Sequence, residues 1–226
     1  MKLSIIIPVF NEKNTIAELL RQVIAVDLDK QIIIVDDGSK DGTRELIKEM
    51  NQDGLTIAFH QKNQGKGAAV RTGLQLVKGE VVVIQDADLE YDPQDFHAMI
   101  EAMTQKQAQV IYGSRILNKE NPQGHLSFYM GGRLVTVATN LIFGSKLTDE
   151  PTCYKMFRTE VLEDIDIESD GFEWEPEITA KILKKGIPIE EVPISYEPRP
   201  VDHGKKIKAR DGIKALWTLL KYRLRG

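Results

Sequence analysis

The chain predicts an α/β domain: a mostly parallel sheet flanked by helices, ending in an amphipathic helix. Three observations carry this. Short apolar runs rich in Val and Ile recur from the N-terminus, as in strands buried on both faces. Stretches with helical apolar spacing alternate with them, which predicts right-handed crossovers. Polar turns rich in Asp, Asn and Gly separate the two. The 226 residues suit one such domain, and 42% hydrophobic with 28% charged residues is ordinary for a globular chain.

In order, Leu3–Val9 reads as a central strand, with Pro8 at its exit. Thr15 and Glu18 have capping-box spacing ahead of a helix carrying Ile16, Leu19, Leu20 and Val23. Gln31–Val35 is the second strand, closed by the turn Asp36-Asp-Gly-Ser-Lys-Asp-Gly42 and a helix with Leu46 and Ile47. Leu55–His60 follows as a strand. Gly65-Lys-Gly67 then opens a helix whose small residues allow close packing, and Lys66 at that helix start is a weak anion signal. Val81–Ile84 is a buried strand, and Pro93 marks the first position of the next helix. Val110–Tyr112 is a strand, Leu126–Phe143 a core or docking helix, and Glu173–Lys184 a helix. Ile189–Tyr196 reads as a strand, Arg199–Lys208 as a basic loop, and Asp211–Arg225 as an amphipathic helix. The division expected is 1–208 for the catalytic fold and 209–226 for the terminal helix.

Asp86 and Asp88 stand just past the Val81–Ile84 run. In extended chain they share a side, at the strand end where open α/β sheets bind ligands. Two hard oxygen donors there suit Mg²⁺ or Mn²⁺ on a nucleotide diphosphate. Other acid-x-acid triplets, such as Asp27-x-Asp29, Asp164-x-Asp166 and Glu173-x-Glu175, do not directly follow a β-branched run and carry no such meaning. A net charge of −4 argues against nucleic acid as partner. A single cysteine, Cys153, excludes an internal disulfide and fits a reducing compartment. The N-terminal apolar run is too short for a signal peptide, and no run approaches the roughly 18 residues of a membrane span.

Ile6-Ile-Pro-Val-Phe-Asn-Glu12, Val35-Asp-Asp-Gly-Ser39, Asp41-Gly-Thr43, Gln85-Asp-Ala-Asp-Leu89, Gly113-Ser-Arg115 and Val192-Pro-Ile-Ser-Tyr196 together resemble family 2 glycosyltransferases of the GT-A fold. Within the family they are most similar to the dolichol-phosphate mannose synthase and polyprenyl-phosphate glycosyltransferase branch. The resemblance spans about Ile5 to Lys208.

It implies an inverting, metal-dependent transferase that moves a sugar from a nucleotide-diphosphate sugar (GDP-mannose or a UDP-sugar) to a polyprenyl or dolichyl phosphate. By motif, Pro8, Phe10 and Glu12 would line the base and ribose, bordered by Val35 and Asp37, with Ala87 against the nucleotide. The family often has Tyr where Phe10 stands, so a hydroxyl donor is lost there. Asp86 and Asp88 would hold the metal, with Glu90 as a third oxygen ligand. Arg115, with Arg133, would contact the acceptor phosphate, and Arg199 and Lys205 would close over the diphosphate. Relatives read Gly-x-Ser-Lys where this chain reads His203-Gly-Lys-Lys206, so Lys206 is an alternative to Lys205. A phosphate acceptor needs no strong base. A sugar-hydroxyl acceptor on a cell-envelope glycan needs one, and Asp149 is then the candidate. A non-catalytic nucleotide-sugar-binding module is the remaining alternative. A nucleotidyltransferase is disfavoured because Phe10–Asn14 contains no glycine.

A lipid acceptor implies a membrane surface. Ile213, Leu216, Trp217 and Leu220 at helical spacing among many cations read as an interfacial helix. The expected location is cytoplasmic, peripheral on the inner face of the membrane.

Overall fold

A computed structural model describes residues 1–50, 54–122, 124–199 and 209–225. The first half alternates β1 (Leu3–Val9), α1 (Ile16–Ala25), β2 (Lys30–Asp36), α2 (Thr43–Glu49), β3 (Leu55–Phe59), α3 (Lys66–Leu74), β4 (Val81–Ile84) and α4 (Asp95–Gln105). The second half runs β5 (Val110–Ser114), α5 (Leu126–Phe143), β6 (Lys155–Arg158), α6 (Thr159–Glu163), α7 (Trp174–Lys184), β7 (Ile189–Pro193) and α8 (Ala209–Leu224). Seven strands form one sheet in the order β3-β2-β1-β4-β6-β5-β7. β1, β2 and β4 are buried almost throughout, as their unbroken apolar runs require. Helix α3 lies so close on β1 that a Cβ on Gly73 would meet Ile6 Cγ2 at 2.5 Å.

β6 alone runs antiparallel, between β4 and β5. The chain turns back through Pro151–Tyr154 before pairing, so a piece that reads only as a short extension completes the sheet. The carboxyl ends of β1, β2 and β4 open on one edge. β1 leads to β2 on one side and pairs with β4 on the other, which makes this edge a topological switch point.

Three local expectations change. The capping box does not form: Thr15 Oγ1 donates to Glu12 Oε2 at 3.0 Å, and Glu18 is taken by Arg21 and Gln22. Pro93 precedes α4 by a turn in which Asp92 accepts from Gln94 N at 2.9 Å, so the helix begins at Asp95. β7 ends at Pro193, because Tyr196 N leaves the ladder for the Asn121 side chain at 3.0 Å.

Helix α8 rests on α5 and α7 through buried Leu219 and Tyr222, which meet Val135 and Ala180. Arg225 and Lys221 reach Glu168 at 2.9 and 3.4 Å. Among the described residues no helix is long and apolar enough to cross a membrane.

Candidate active site

Two clusters of charge face the switch-point edge. The first is acidic. Asp86 and Asp88 converge, although β4 ends at Ile84 and Asp88 lies in a turn, so the extended-chain spacing is not what aligns them. The turn is tight: Leu89 sits at φ +63, and Asn11, between Phe10 and Glu12, at φ +51. Side chains other than glycine adopt this region at a cost of about 1 kcal/mol or more, and such strain gathers at functional sites.

Arg199 spans the acids. Its guanidinium lies 3.3 Å from Glu12, 3.5 Å from Asp88 Oδ2 and 3.8 Å from Glu90 Oε1. Its Nε is buried with no hydrogen-bond partner among the described residues. Glu90, the expected third metal oxygen, accepts from Tyr196 Oη at 2.9 Å and from Arg199 N at 3.2 Å. Its carboxylate thus ties down the Arg199 segment. Lys205 and Lys206 lie outside the described residues.

Burial pushes the Asp88 carboxyl up to about 7, reinforced by the negative charges of Asp86 and Glu90 and opposed by Arg199. A crowded, water-poor set of hard oxygens is a fitting place for Mg²⁺ or Mn²⁺, and Asp86 and Asp88 are the residues that could hold one. Among the described residues no three acidic, His or Cys side chains gather closely enough to hold an ion unaided. The remaining positions fall to ligand oxygens or water.

The nucleotide side departs further from expectation. Pro8 and Phe10 are half-buried at the edge. Val35 and Ala87 are buried, Val35 completely, so Val35 supports the pocket from beneath and offers no surface to a base. Asp37, expected to read the base, accepts from His60 Nδ1 at 2.7 Å, Gln64 N at 2.8 Å and Gly65 N at 2.7 Å. Its carboxylate is spent on pinning the loop that leads into α3.

The second cluster is cationic. Arg115, after β5, donates from Nε and Nη2 to the two oxygens of Asp149, both at 2.7 Å, and its backbone N donates to the same carboxylate at 3.0 Å. Burial would raise the Asp149 carboxyl, but Arg115 outweighs it and holds the group below the usual carboxylate range. A buried, bidentate, acidified carboxylate is poorly suited to take a proton. In this arrangement Asp149 orients Arg115, which weighs against the general-base role expected of it with a sugar-hydroxyl acceptor. Arg133 Nη1 donates to Thr148 O at 3.0 Å, so both arginines meet the 148–151 segment. Tyr196 links the clusters, its ring under Arg115 with 5.2 Å to the guanidinium carbon and its hydroxyl on Glu90.

Two participants have partners that no local pattern gives. Lys66 does not await an anion: its Nζ lies 2.8 Å from Asp86 Oδ1 and 2.8 Å from Glu175 Oε1. Burial opposes its charge, but Asp86, Cys153 and Glu175 hold the ammonium well above its ordinary pKa. Glu175, on α7, belongs to an acid-x-acid triplet that looked meaningless. Only the tertiary fold brings it within one lysine of Asp86.

The model of the glycosyl transferase family 2 matches residues 4–166. The chain belongs to glycosyl transferase family 2. It is 30% identical over 197 residues to glycosyltransferase AglJ of Haloferax volcanii, covering 87% of this chain and 63% of that one. It is 25% identical over 211 residues to a dodecaprenyl-phosphate galacturonate synthase of Rhizobium johnstonii, covering 90% and 61%. It thus spans just under two thirds of the length of each. Its fold matches glucosyl-3-phosphoglycerate synthase from Mycobacterium tuberculosis, solved with Mn²⁺, UDP and phosphoglyceric acid, at a TM-score of 0.77 and 18% identity over 99% of this chain and 78% of that one. The sheet and its flanking helices are thus those of the GT-A fold, and the chain is a glycosyltransferase.

Proposed function

We propose that this family 2 enzyme transfers one glycosyl group, with inversion, from a nucleotide-diphosphate sugar to the phosphate of a polyprenyl lipid. The observation that carries the reading is the pairing of the two clusters. An acidic corner under an arginine whose buried Nε has no partner among the described residues suits a metal-bound diphosphate, and two arginines gathered at the 148–151 segment suit an acceptor phosphate. The relatives named for polyprenyl-phosphate substrates support the acceptor class.

In this reading an acceptor phosphate oxygen, held by Arg115 and Arg133, forms the new bond to C1 as the C1–O bond to the diphosphate breaks. The electron pair leaves with the diphosphate. Arg199 moves its N–H groups from Glu12 and Asp88 to that leaving group, a charge-assisted contact that strengthens as negative charge develops. Asp86 and Asp88 would hold a divalent cation, which would supply Lewis-acid neutralisation of the same charge. Because the nucleophile is already an anion, no proton has to be removed, which agrees with an Asp149 committed to Arg115. The test is a donor panel of GDP-mannose, UDP-glucose and UDP-N-acetylglucosamine with Mn²⁺ and a short polyprenyl phosphate, read by label extracted into organic solvent. One donor should give extractable product. Transfer only to free sugars would reject the lipid acceptor.

Lipid access has its own surface. α5 exposes Leu126, Met130, Leu134, Val137 and Leu141, spaced along one stripe, and α8 beside it exposes Ile213, Trp217, Leu220 and Leu224. Leu141 is 81% and Trp217 68% exposed, too much apolar area for plain solvent. Arg133 is the sole charged residue in α5, and α8 adds Arg210, Lys214, Lys221 and Arg223 against one acid, Asp211. An apolar stripe with a basic margin fits an anionic bilayer. The protein should float with vesicles containing phosphatidylglycerol, whereas Trp217→Glu and Leu134→Glu should each reduce the floated fraction several-fold. Unchanged flotation of both variants would remove this surface from the reading.

A further inference from the structure

Glycine packing places Lys66. Gly65 runs at φ +105, and a Cβ there would meet Asp170 O at 2.3 Å, while one on Gly67 would meet Ser169 O at 2.2 Å and Trp174 Cβ at 2.9 Å. Ala68 N donates to Asp170 O at 3.1 Å, and Arg71 Nη1 donates to Ile167 O and Ser169 O at 3.1 and 3.3 Å. The start of α3 is thereby fastened to the turn that precedes α7. Lys66 and Glu175 share this fixed base, whereas Asp86 comes from the separate turn after β4.

The ammonium lies 2.8 Å from Asp86 Oδ1 and 2.9 Å from Oδ2, so it straddles the carboxylate. That is the position a chelated cation takes. It also lies 2.8 Å from Glu175 Oε1, and the Lys66 and Glu175 side chains are each only 10% exposed. Three donors are thereby committed to two acids, with little water to replace either.

We propose that Lys66 is a positioning residue: a tethered ammonium that holds Asp86 until a divalent cation displaces it, with Glu175 as the anchor that keeps the released ammonium in place. The proposal rests on Asp86 and Asp88 being the metal ligands. Two cations do not share one face of a carboxylate, so Lys66 must yield that face before an ion can be chelated there. An ion arriving alone gains two acids and has to displace an ion pair. An ion arriving on a diphosphate brings its own anionic oxygens, which offset the displacement. Lys66 therefore makes metal uptake depend on the donor, a coupling that is reciprocal by linkage. Glu175 lowers the barrier to release, because the ammonium keeps one full ion pair throughout.

The test titrates Mn²⁺ into wild type, Lys66→Met and Glu175→Gln and follows free Mn²⁺ by electron paramagnetic resonance, alone and with UDP or GDP. Melting curves without metal confirm that each variant is folded. Lys66→Met should bind Mn²⁺ alone roughly tenfold more tightly than wild type, an ordinary size for coupling between two ligands, and should gain correspondingly less from the nucleotide. Glu175→Gln leaves the ammonium with Asp86 alone and should bind Mn²⁺ more weakly. Opposite shifts separate this role from a merely structural ion pair, which predicts losses in both. Lys66→Met binding no tighter than wild type, or both variants shifting the same way, overturns the proposal. If Lys66→Met does not fold, Lys66→Gln takes its place beside Glu175→Gln and the same criteria apply. Wild type taking up no Mn²⁺ with either nucleotide would reject the metal site itself. Uptake by wild type with unshifted variants rejects only the role given to Lys66.

Discussion

Asp88→Asn should abolish glycosyl transfer and raise the melting temperature of the metal-free protein. The loss should be on the order of 10³ in kcat or more, because the change removes an anionic ligand from the centre that neutralises the leaving diphosphate. The stability gain follows from the same crowding. The Asp88 carboxyl ordinarily titrates near 3.8 and is pushed up to about 7 in the fold by burial, then by Asp86 and Glu90. A folded-state value above the unfolded one means that the unfolded chain gives up its proton first. This group's contribution is therefore fully present below pH ~4 and is lost as pH rises to about 7. Asparagine cannot ionise, so the variant escapes that loss. Its advantage should be absent near pH 4, grow through pH 5 and 6, and level off above 7 at a few degrees, the usual scale for a change of about 1–2 kcal/mol in a chain of this size. Calorimetry across pH in the presence of a chelator reads it. A melting temperature at pH 8 no higher than wild type would show that the acids do not crowd one another, and retained transfer would remove Asp88 from the chemistry.

The acidic corner was legible before folding because its parts are local. An unbroken Val-Val-Val-Ile run predicts a buried strand, and the acids directly after it must fall at the sheet's edge. Arg115 was singled out differently, through the resemblance of Gly113-Ser-Arg115 to a family motif. The residues whose contacts were not legible are those with partners far along the chain. Asp37 looks free to meet a base, yet it is consumed by His60 and the backbone of Gln64 and Gly65. Glu175 reaches the site only because α7 docks on the start of α3, and its contact with Lys66 spans 109 residues. Tyr196 sits in a recognisable motif, but its bridging of Glu90 and Arg115 depends on the chain leaving β7 early. No local pattern signals the reversal of β6, since a four-residue strand reads the same in either direction. Strand existence follows from composition, whereas pairing direction and ion-pair assignment are decided in three dimensions.

Asp149→Asn separates the two roles that an acid beside Arg115 can play. The structure gives Asp149 both guanidinium bonds and a backbone donor, with its side chain 4% and that of Arg115 23% exposed. Removing one charge of such a pair leaves the other poorly compensated, and breaking a buried pair costs about 3 kcal/mol or more. The variant should melt about 6–12 °C lower than wild type, scaled to a chain of this length. Arg115 would also lose its orientation, so KM for the polyprenyl phosphate should rise at least tenfold, about 1.4 kcal/mol of acceptor binding. kcat at saturating acceptor should fall far less, and the shape of its pH profile should not change. A general base behaves otherwise: its loss would fall on kcat, remove the acidic limb of the pH–rate curve and leave acceptor KM nearly untouched. Arg115→Lys supplies the cross-check. If Asp149 acts through Arg115, the double variant should lose little acceptor binding beyond Arg115→Lys alone, because the two residues form one unit. Additive losses, or a vanished acidic limb in Asp149→Asn, would return Asp149 to proton transfer and with it favour a hydroxyl acceptor over a lipid phosphate.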